Sequence, residues 1–238
     1  MEEGKLPGVT AAARVTLEWY DDLSAKISRS EVVEIAERAR QDVDAAAARV
    51  DPTAEVRFTV VGGYRRGNPS SHDVDVLVTL ARCEGDAAPQ PDYVEFRHAI
   101  EEELGRSGLL RHVFLSGAFS VQASDQDSPF EKQEIVGEQR RFALVPGFTG
   151  HMRRLDVVVV KPEQYAFGML SWSGDTLFQR SIREYAEHER KWKFSQNGLV
   201  DLEHQQPVPA IVEGKLTTEE AIFKELGLKY IPPEFRFC

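Results

Sequence analysis

Residues 60–79 read VVGGYRRGNPSSHDVDVLVT, and the alternation in the second half of this stretch decides what kind of fold surrounds it. Along an extended strand, side chains i and i+2 leave the same face, roughly 6.6 Å apart along the axis. Asp73 and Asp75 therefore converge on one side while Val74 and Val76 pack on the other. Two carboxylates held that close repel, and a bound cation relieves the repulsion. Magnesium, which takes carboxylate and phosphate oxygens together, suits such a pair better than zinc does. A solvated strand face would give the same short pattern, so the neighbouring sequence has to choose.

Two further stretches favour the cation. RRLDVVVV at 153–160 sets Asp156 on a strand whose other face carries Leu155, Val157 and Val159. An unpaired carboxylate buried on an apolar element is expensive. A two-metal site accounts for all three acids: one ion holds a triphosphate, and the other lowers the pKa of an attacking hydroxyl. Upstream, Gly62-Gly63 permits close backbone approach to phosphate oxygens, and Arg65 and Arg66 offer forked donors that match phosphate geometry. A glycine pair alone is a turn; followed by two arginines and the aspartate strand, it reads as a phosphate site.

The chain has 238 residues, 42% apolar and 29% charged, which suits a globular protein with a sizeable core. A formal charge of −10 excludes a protein that coats nucleic acid through general electrostatics, so any such contact is local. No apolar run approaches the roughly 18 residues of a membrane helix, and MEEGKLPGVT lacks a positive region followed by an apolar stretch. The expectation is an intracellular, soluble protein with no membrane partner. Cys83 and Cys238 lie far apart without metal-ligand spacing and read as two free thiols.

Around the motifs, periodicity predicts the elements. A helix is expected at about 11–26, and a second begins at the capping-box spacing Ser28-Arg-Ser-Glu31 and ends near Asp51-Pro52. EVRFTVVGG and DVDVLVTL read as strands joined by a loop. Tyr93, Phe96, Ile100 and Leu104 repeat at helical spacing before Gly105, taken as the stop. LLRHVFL, GAFSVQA, QRRFALV and RRLDVVVV are strand candidates, with a long polar loop at about 121–140. Beyond Lys161-Pro162 the pattern turns helical, and Thr217-Thr-Glu-Glu220 opens a last helix that Gly227 stops. Trp19, Tyr20 and Leu23 are expected to pack as core, as are Tyr165 and Phe167; His98, His112 and His204 show no metal-ligand spacing.

These motifs resemble those of a known family. GGYRRGNPSSHDVDVLVT closely resembles the nucleotidyltransferase signature of family X DNA polymerases, a glycine turn with Arg-Arg-Gly ahead of an Asp-x-Asp strand. RRLDVVVV is similar to that family's third-aspartate strand, and LSWSGDTLFQRSIREYA to the segment lining its nucleotide pocket. The Gly-Gly pair, His72, Trp172, YAEHERK at 185–191 and EEAIFKELGLKYIPPE resemble the branch that holds terminal deoxynucleotidyltransferase and polymerase mu.

The resemblance implies an α+β fold: a palm built on a mixed or antiparallel sheet with helices on one face, then a mostly helical thumb-like unit, with N-terminal helices ahead. The expected divisions are 1–55, 56–162 and 163–238. It implies a catalytic core without the family's lyase, helix-hairpin-helix or BRCT domains. Asp73, Asp75 and Asp156 would hold two divalent ions, Mg²⁺ first, with Mn²⁺ or Co²⁺ as substitutes. Gly62, Gly63, Arg66 and His72 would bind the triphosphate; Trp172, Ser173 and Gly174 would shape the sugar pocket; Arg183 would reach the base or template region, with Arg180 a weaker candidate. The implied activity is addition of dNMP from dNTP to a DNA primer 3′ end, single-stranded or short duplex, by a monomer. Template-independent addition is the first reading, and templated gap filling or end joining in DNA repair the second. A nucleotidyltransferase with a small-molecule or RNA acceptor and a non-catalytic DNA-end-binding module are remoter readings. A nuclear location follows if the source is eukaryotic. Asn68 and Pro69 replace lysines of that branch, Ser171 a glycine and Thr176 an arginine, departures that bear on triphosphate affinity, sugar choice and base stacking.

Overall fold

The computed structural model describes residues 17–82, 89–110, 112–116, 140–147 and 149–237. A five-stranded mixed sheet positions everything else. Its strands are β2 (Glu55–Val60), β4 (Val74–Ala81), β5 (His112–Ser116), β6 (Arg140–Pro146) and β7 (Met152–Val159), in the order β2-β4-β7-β6-β5. Only β4 and β7 run parallel; the other pairs are antiparallel. Two-residue strands β1 (Ile27–Ser28) and β3 (Ser70–Ser71) pair separately.

Alternation along β4 and β7 gives the sheet two unlike faces. Val74, Val76, Val78, Leu80, Leu155 and Val157 point into one core, together with Val32, Ile35, Ala39 and Val43 of α2 (Arg29–Val50) and Phe96, Ile100 and Leu104 of α4 (Tyr93–Arg106). Leu77 and Val158, on the opposite face, pack with Val61, Val160, Tyr165, Met169 and Trp172, the last three at or beside α5 (Tyr165–Ser173). Helices therefore cover both faces: α2 and α4 one, α5 part of the other. The helices expected on one face of the palm are α2 and α4; α5 belongs to the C-terminal unit by sequence and lies on the other face because Gly168 lets it approach. A Cβ at Gly168 would come within 2.9 Å of Leu77 Cδ1.

The C-terminal unit has its own core of Phe167, Leu170, Phe178, Ile182, Phe194, Leu199, Ile222, Phe223 and Leu226. It comes from α5, α6 (Thr176–Arg190), α7 (Pro209–Val212), α8 (Glu219–Leu226) and a three-stranded sheet of β8 (Trp192–Ser195), β9 (Gly198–Asp201) and β10 (Gln206–Pro207). The fold is α+β with a helical C-terminal unit, as expected, although that small sheet was not. Among the described residues no helix is long and apolar enough to cross a membrane.

Local chemistry explains most boundaries and several differences. Ser28 Oγ accepts from Glu31 N at the start of α2, but the Glu31 side chain turns to Arg153, so only half the capping box is made. Gly105 lies inside α4, and Gly108, with φ +74°, follows the helix end. The last helix is capped by Thr218, one residue later than expected, and stops at left-handed Gly227. The loop between β2 and β4 contains a short helix, α3 (Gly62–Arg65), and β3. Of the first expected helix the described part is helical at 17–18 and over α1 (Tyr20–Ser24), and Tyr20 is 61% exposed rather than core. Polar contacts hold that helix: Asp22 accepts from Met152 N and pairs with His151, and Arg153 donates to Asp22 O and Ala25 O. GAFSVQA, the loop core at 121–139, Cys83 and Cys238 lie outside the described residues.

The Glu31–Arg153 pair, 3.0 Å apart with both side chains almost fully buried, ties α2 to β7. Removing one charge strands the other in the interior. Glu31→Gln is expected to lower the free energy of unfolding by about 3 kcal/mol in urea titrations, against under 1 kcal/mol for the exposed pair variant Asp44→Asn.

Candidate metal and nucleotide site

The parallel pairing of β4 with β7 brings the acids together. Asp75 and Asp156 are direct cross-strand partners in the register, flanked by Val74 with Leu155 and Val76 with Val157. Asp73 lies one residue before the start of β4. One oxygen from each of Asp73, Asp75 and Asp156 falls within 4.8 Å of the others. The three acids stand on the face that carries Leu77 and Val158, just past the part that α5 covers. Asp156 is 2% exposed, while Asp73 and Asp75 are half-buried.

Like charges directly opposite on neighbouring strands destabilise a sheet, so this arrangement calls for positive charge. Arg154, on the same face as Asp156 and two residues before it, supplies some: it pairs with Asp73 through Nη2, and its Nε lies 3.3 Å from Asp156 Oδ1. Converging hard oxygen donors suit Mg²⁺ or Mn²⁺ rather than a soft metal, and the trio therefore fits divalent ions.

Gly62 forms the wall beside the acids. Its φ is +59°, and a Cβ there would sit 2.0 Å from Asp75 Oδ2; only glycine allows both the turn and the approach. A Cβ on Gly63 would meet Asn68 Nδ2 at 3.0 Å, Ser71 Oγ at 3.3 Å and Arg66 Nη2 at 3.7 Å. Amide, hydroxyl and guanidinium donors thus gather around one glycine. His72 is exposed beside Asp73.

The two arginines of the turn part ways. Arg66 donates from Nη1 to Gly174 O at 3.2 Å, spanning from the glycine turn to the C-terminal unit. Arg65 does not offer its fork to a ligand. Its two terminal nitrogens grip Glu219 at 2.9 and 2.6 Å, and Nη1 also reaches Ser173 Oγ at 2.6 Å. Arg236, fully buried, donates to Oε1 of the same Glu219 carboxylate at 2.5 Å. The reading of Arg65 as a phosphate donor is therefore corrected: a carboxylate from α8 already holds it. Burial pushes the Glu219 carboxyl up, but hydrogen bonds and charge from Arg65 and Arg236 outweigh that and hold it below the ordinary range.

Trp172, Ser173 and Gly174 sit where α5 turns into α6. Trp172 Nε1 donates to Gln196 Oε1 at 2.9 Å, anchoring the indole to the turn between β8 and β9. A Cβ on Gly174 would meet Phe178 Cδ1 at 2.3 Å and Gln179 Nε2 at 2.7 Å. Asp175 caps α6 through Phe178 N, and its own N–H reaches Arg236 O. Arg180 and Arg183 are exposed on α6, one and two turns on from Thr176. Sequence reasoning missed Glu219, Arg236, Arg154 and Gln196. Only Arg154 left a signal, its i, i+2 spacing from Asp156.

Two variants probe this geometry. Gly62→Ala should push Asp75 aside and weaken binding of a Mn²⁺ probe at least tenfold. Gly67→Ala, at φ +83° with nothing within 4 Å, should leave that affinity unchanged while costing about 1 kcal/mol of stability. Glu219→Gln should destabilise the chain by about 3 kcal/mol at pH 7, because Arg236 loses its buried partner. The native carboxyl titrates lower folded than unfolded, so its contribution is fully present above about pH 5 and fades as pH falls through the folded value. The gap between wild type and Glu219→Gln in urea midpoints is therefore expected to shrink below about pH 4.

Known proteins share this layout. Residues 26–162 match the family model for the DNA polymerase beta palm, and residues 168–237 that for the DNA polymerase beta thumb. The chain is 29% identical over 242 residues to DNA nucleotidylexotransferase of Xenopus laevis, covering 94% of this chain and 44% of that protein. It is 30% identical over 240 residues to human DNA-directed DNA/RNA polymerase mu, covering 96% and 45%, and 29% identical over 227 residues to human DNA nucleotidylexotransferase, covering 90% and 41%. The chain spans less than half the length of these relatives. With a palm model matching over half of its residues and a thumb model over most of the rest, the chain belongs to the DNA polymerase beta-like family X nucleotidyltransferases.

Proposed function

We propose that the chain adds dNMP from dNTP to a DNA 3′-hydroxyl without needing a template. In this reaction the 3′-oxygen bonds to the α-phosphorus, the bond from that phosphorus to the bridging oxygen breaks, pyrophosphate leaves with the electron pair, and the hydroxyl proton passes to water. The observation that carries the transfer chemistry is the in-register Asp75–Asp156 pair, with Asp73 close enough for all three to share cations; the similarity to DNA nucleotidylexotransferases supports the template-free form.

Asp73, Asp75 and Asp156 would hold two divalent ions, which stabilise the charge that builds up on the attacking and leaving oxygens of an in-line displacement. The protein's own groups do the rest. Gly62 and Gly63 let phosphate oxygens come against the backbone, and Arg66, half-buried where the palm meets the thumb, offers a permanent charge to the triphosphate. Trp172, held by Gln196, and the Ser173-Gly174 turn would bound the sugar, with His72 at the rim and Arg183 reaching toward the base. With a charge of −10, the chain would hold DNA by local contacts, as a monomer, in the nucleus where the cell has one. Templated synthesis is the second reading. Its specific support is the similarity to human polymerase mu, as high as that to the nucleotidylexotransferases.

The test is primer extension with a single-stranded 5′-labelled primer, one dNTP and Mg²⁺ or Mn²⁺. Extension is expected, and Asp75→Asn should cut the rate by at least a thousandfold. If no metal supports extension of single strands while a gapped duplex is filled faithfully, the templated reading replaces the first. Failure on both substrates rejects a DNA polymerase altogether.

A further inference from the structure

We propose that Arg154 is a built-in counter-cation of the carboxylate trio, which divalent metal has to displace, so that this one side chain sets how tightly the site binds metal. The inference rests on the reading of Asp73, Asp75 and Asp156 as metal ligands.

The register explains why Arg154 is there. Asp75 faces Asp156 and Val74 faces Leu155, so one step further back Asp73 lies across from Arg154. Four charged side chains thus form a square on one sheet face, with the like-charge pair at one edge and the opposite-charge pair at the other. Arg154 touches both acids that flank it, through Nη2 to Asp73 and through Nε toward Asp156 at 3.3 Å. Its neighbour Arg153 points to the other face and is spent on Glu31. Arg154 is therefore not replaceable by the next residue.

Asp73 and Asp156 are both engaged by the Arg154 guanidinium. They are released only when the side chain leaves. Asp73 Oδ2 and Asp156 Oδ1 are the oxygens engaged with Arg154, and a carboxylate oxygen facing a guanidinium presents the same lone pairs that an ion would take. Cation against cation at that spacing is strongly unfavourable. The Arg154 side chain is 43% exposed, which gives it a way out into solvent. Asp156, almost fully buried, has none. The mobile member of the square is thus the arginine, and metal affinity becomes the difference between two sets of ion pairs rather than the strength of one.

The experiment measures metal binding directly on the whole chain, stripped with chelator and without DNA or nucleotide, by the electron paramagnetic resonance signal of free Mn²⁺. Relative to wild type, Arg154→Gln should bind Mn²⁺ on the order of tenfold more tightly. Arg154→Lys keeps the charge but loses the fork, and should bind at least about threefold more tightly. Urea midpoints in chelator should fall for Arg154→Gln and recover with Mn²⁺; a purely structural role would lower the midpoint and leave the affinity alone. Unchanged or weaker binding by Arg154→Gln overturns the proposal while the metal site stands. Wild-type affinity in Arg154→Lys means that only the net field acts, and overturns displacement. If neither wild type nor Arg154→Gln binds Mn²⁺ at millimolar concentration, the ligand assignment fails as well, an outcome that primer extension reports independently.

Discussion

Two carboxylates that repel each other are locked face to face by the backbone of two parallel strands, and much of the molecule is arranged around that pair. Asp75 and Asp156 cannot move apart without breaking the β4–β7 register, which six apolar side chains beneath them fasten to α2 and α4. Burial makes the repulsion worse, since Asp156 has almost no water. The sheet's apolar face thus holds in place a polar cluster that would not assemble unaided.

The same economy appears in two of the chain's Arg-Arg pairs, 65–66 and 153–154. In each, one arginine is given to architecture and the other to the site. Arg153 closes a buried pair with Glu31, and Arg154 turns to the acids. Consecutive residues on a strand leave opposite faces, which makes this division automatic. Arg65 is gripped by Glu219, and Arg66 stands at the Gly174 carbonyl. Glu219 also holds Arg236, so one carboxylate from α8 joins the glycine turn to the C-terminal segment. The nucleotide pocket proposed between them borders this charge cluster at Ser173, whose hydroxyl accepts from Arg65.

Much of the fold was legible because periodicity and capping are local. The alternation of 73–78 and 155–159 gave the strand faces, and Ser28 gave the start of α2. What misled was equally physical. Gly105 looked like a stop, but an α-helix tolerates a glycine, and the turn formed at Gly108, where φ is positive. Tyr20 looked like core, yet a five-residue helix held by Asp22 has little apolar face to bury. The sheet of β8, β9 and β10 went unread because its strands are four residues or fewer and flanked by charge.

The residue pattern by itself determined which side chains could meet: acids two apart on a strand, a third acid on a second strand, and a glycine pair ahead of arginines. It also determined the family, since each motif is a short run of the chain and the runs follow one another in a fixed order. Tertiary structure decided the pairing. The β4–β7 register is set by hydrogen bonds between segments about 80 residues apart, and no local preference encodes which residue faces which. Nor could sequence spacing say which arginine a distant glutamate would take, because an ion pair is chosen by where the backbones pass and by what is buried between them.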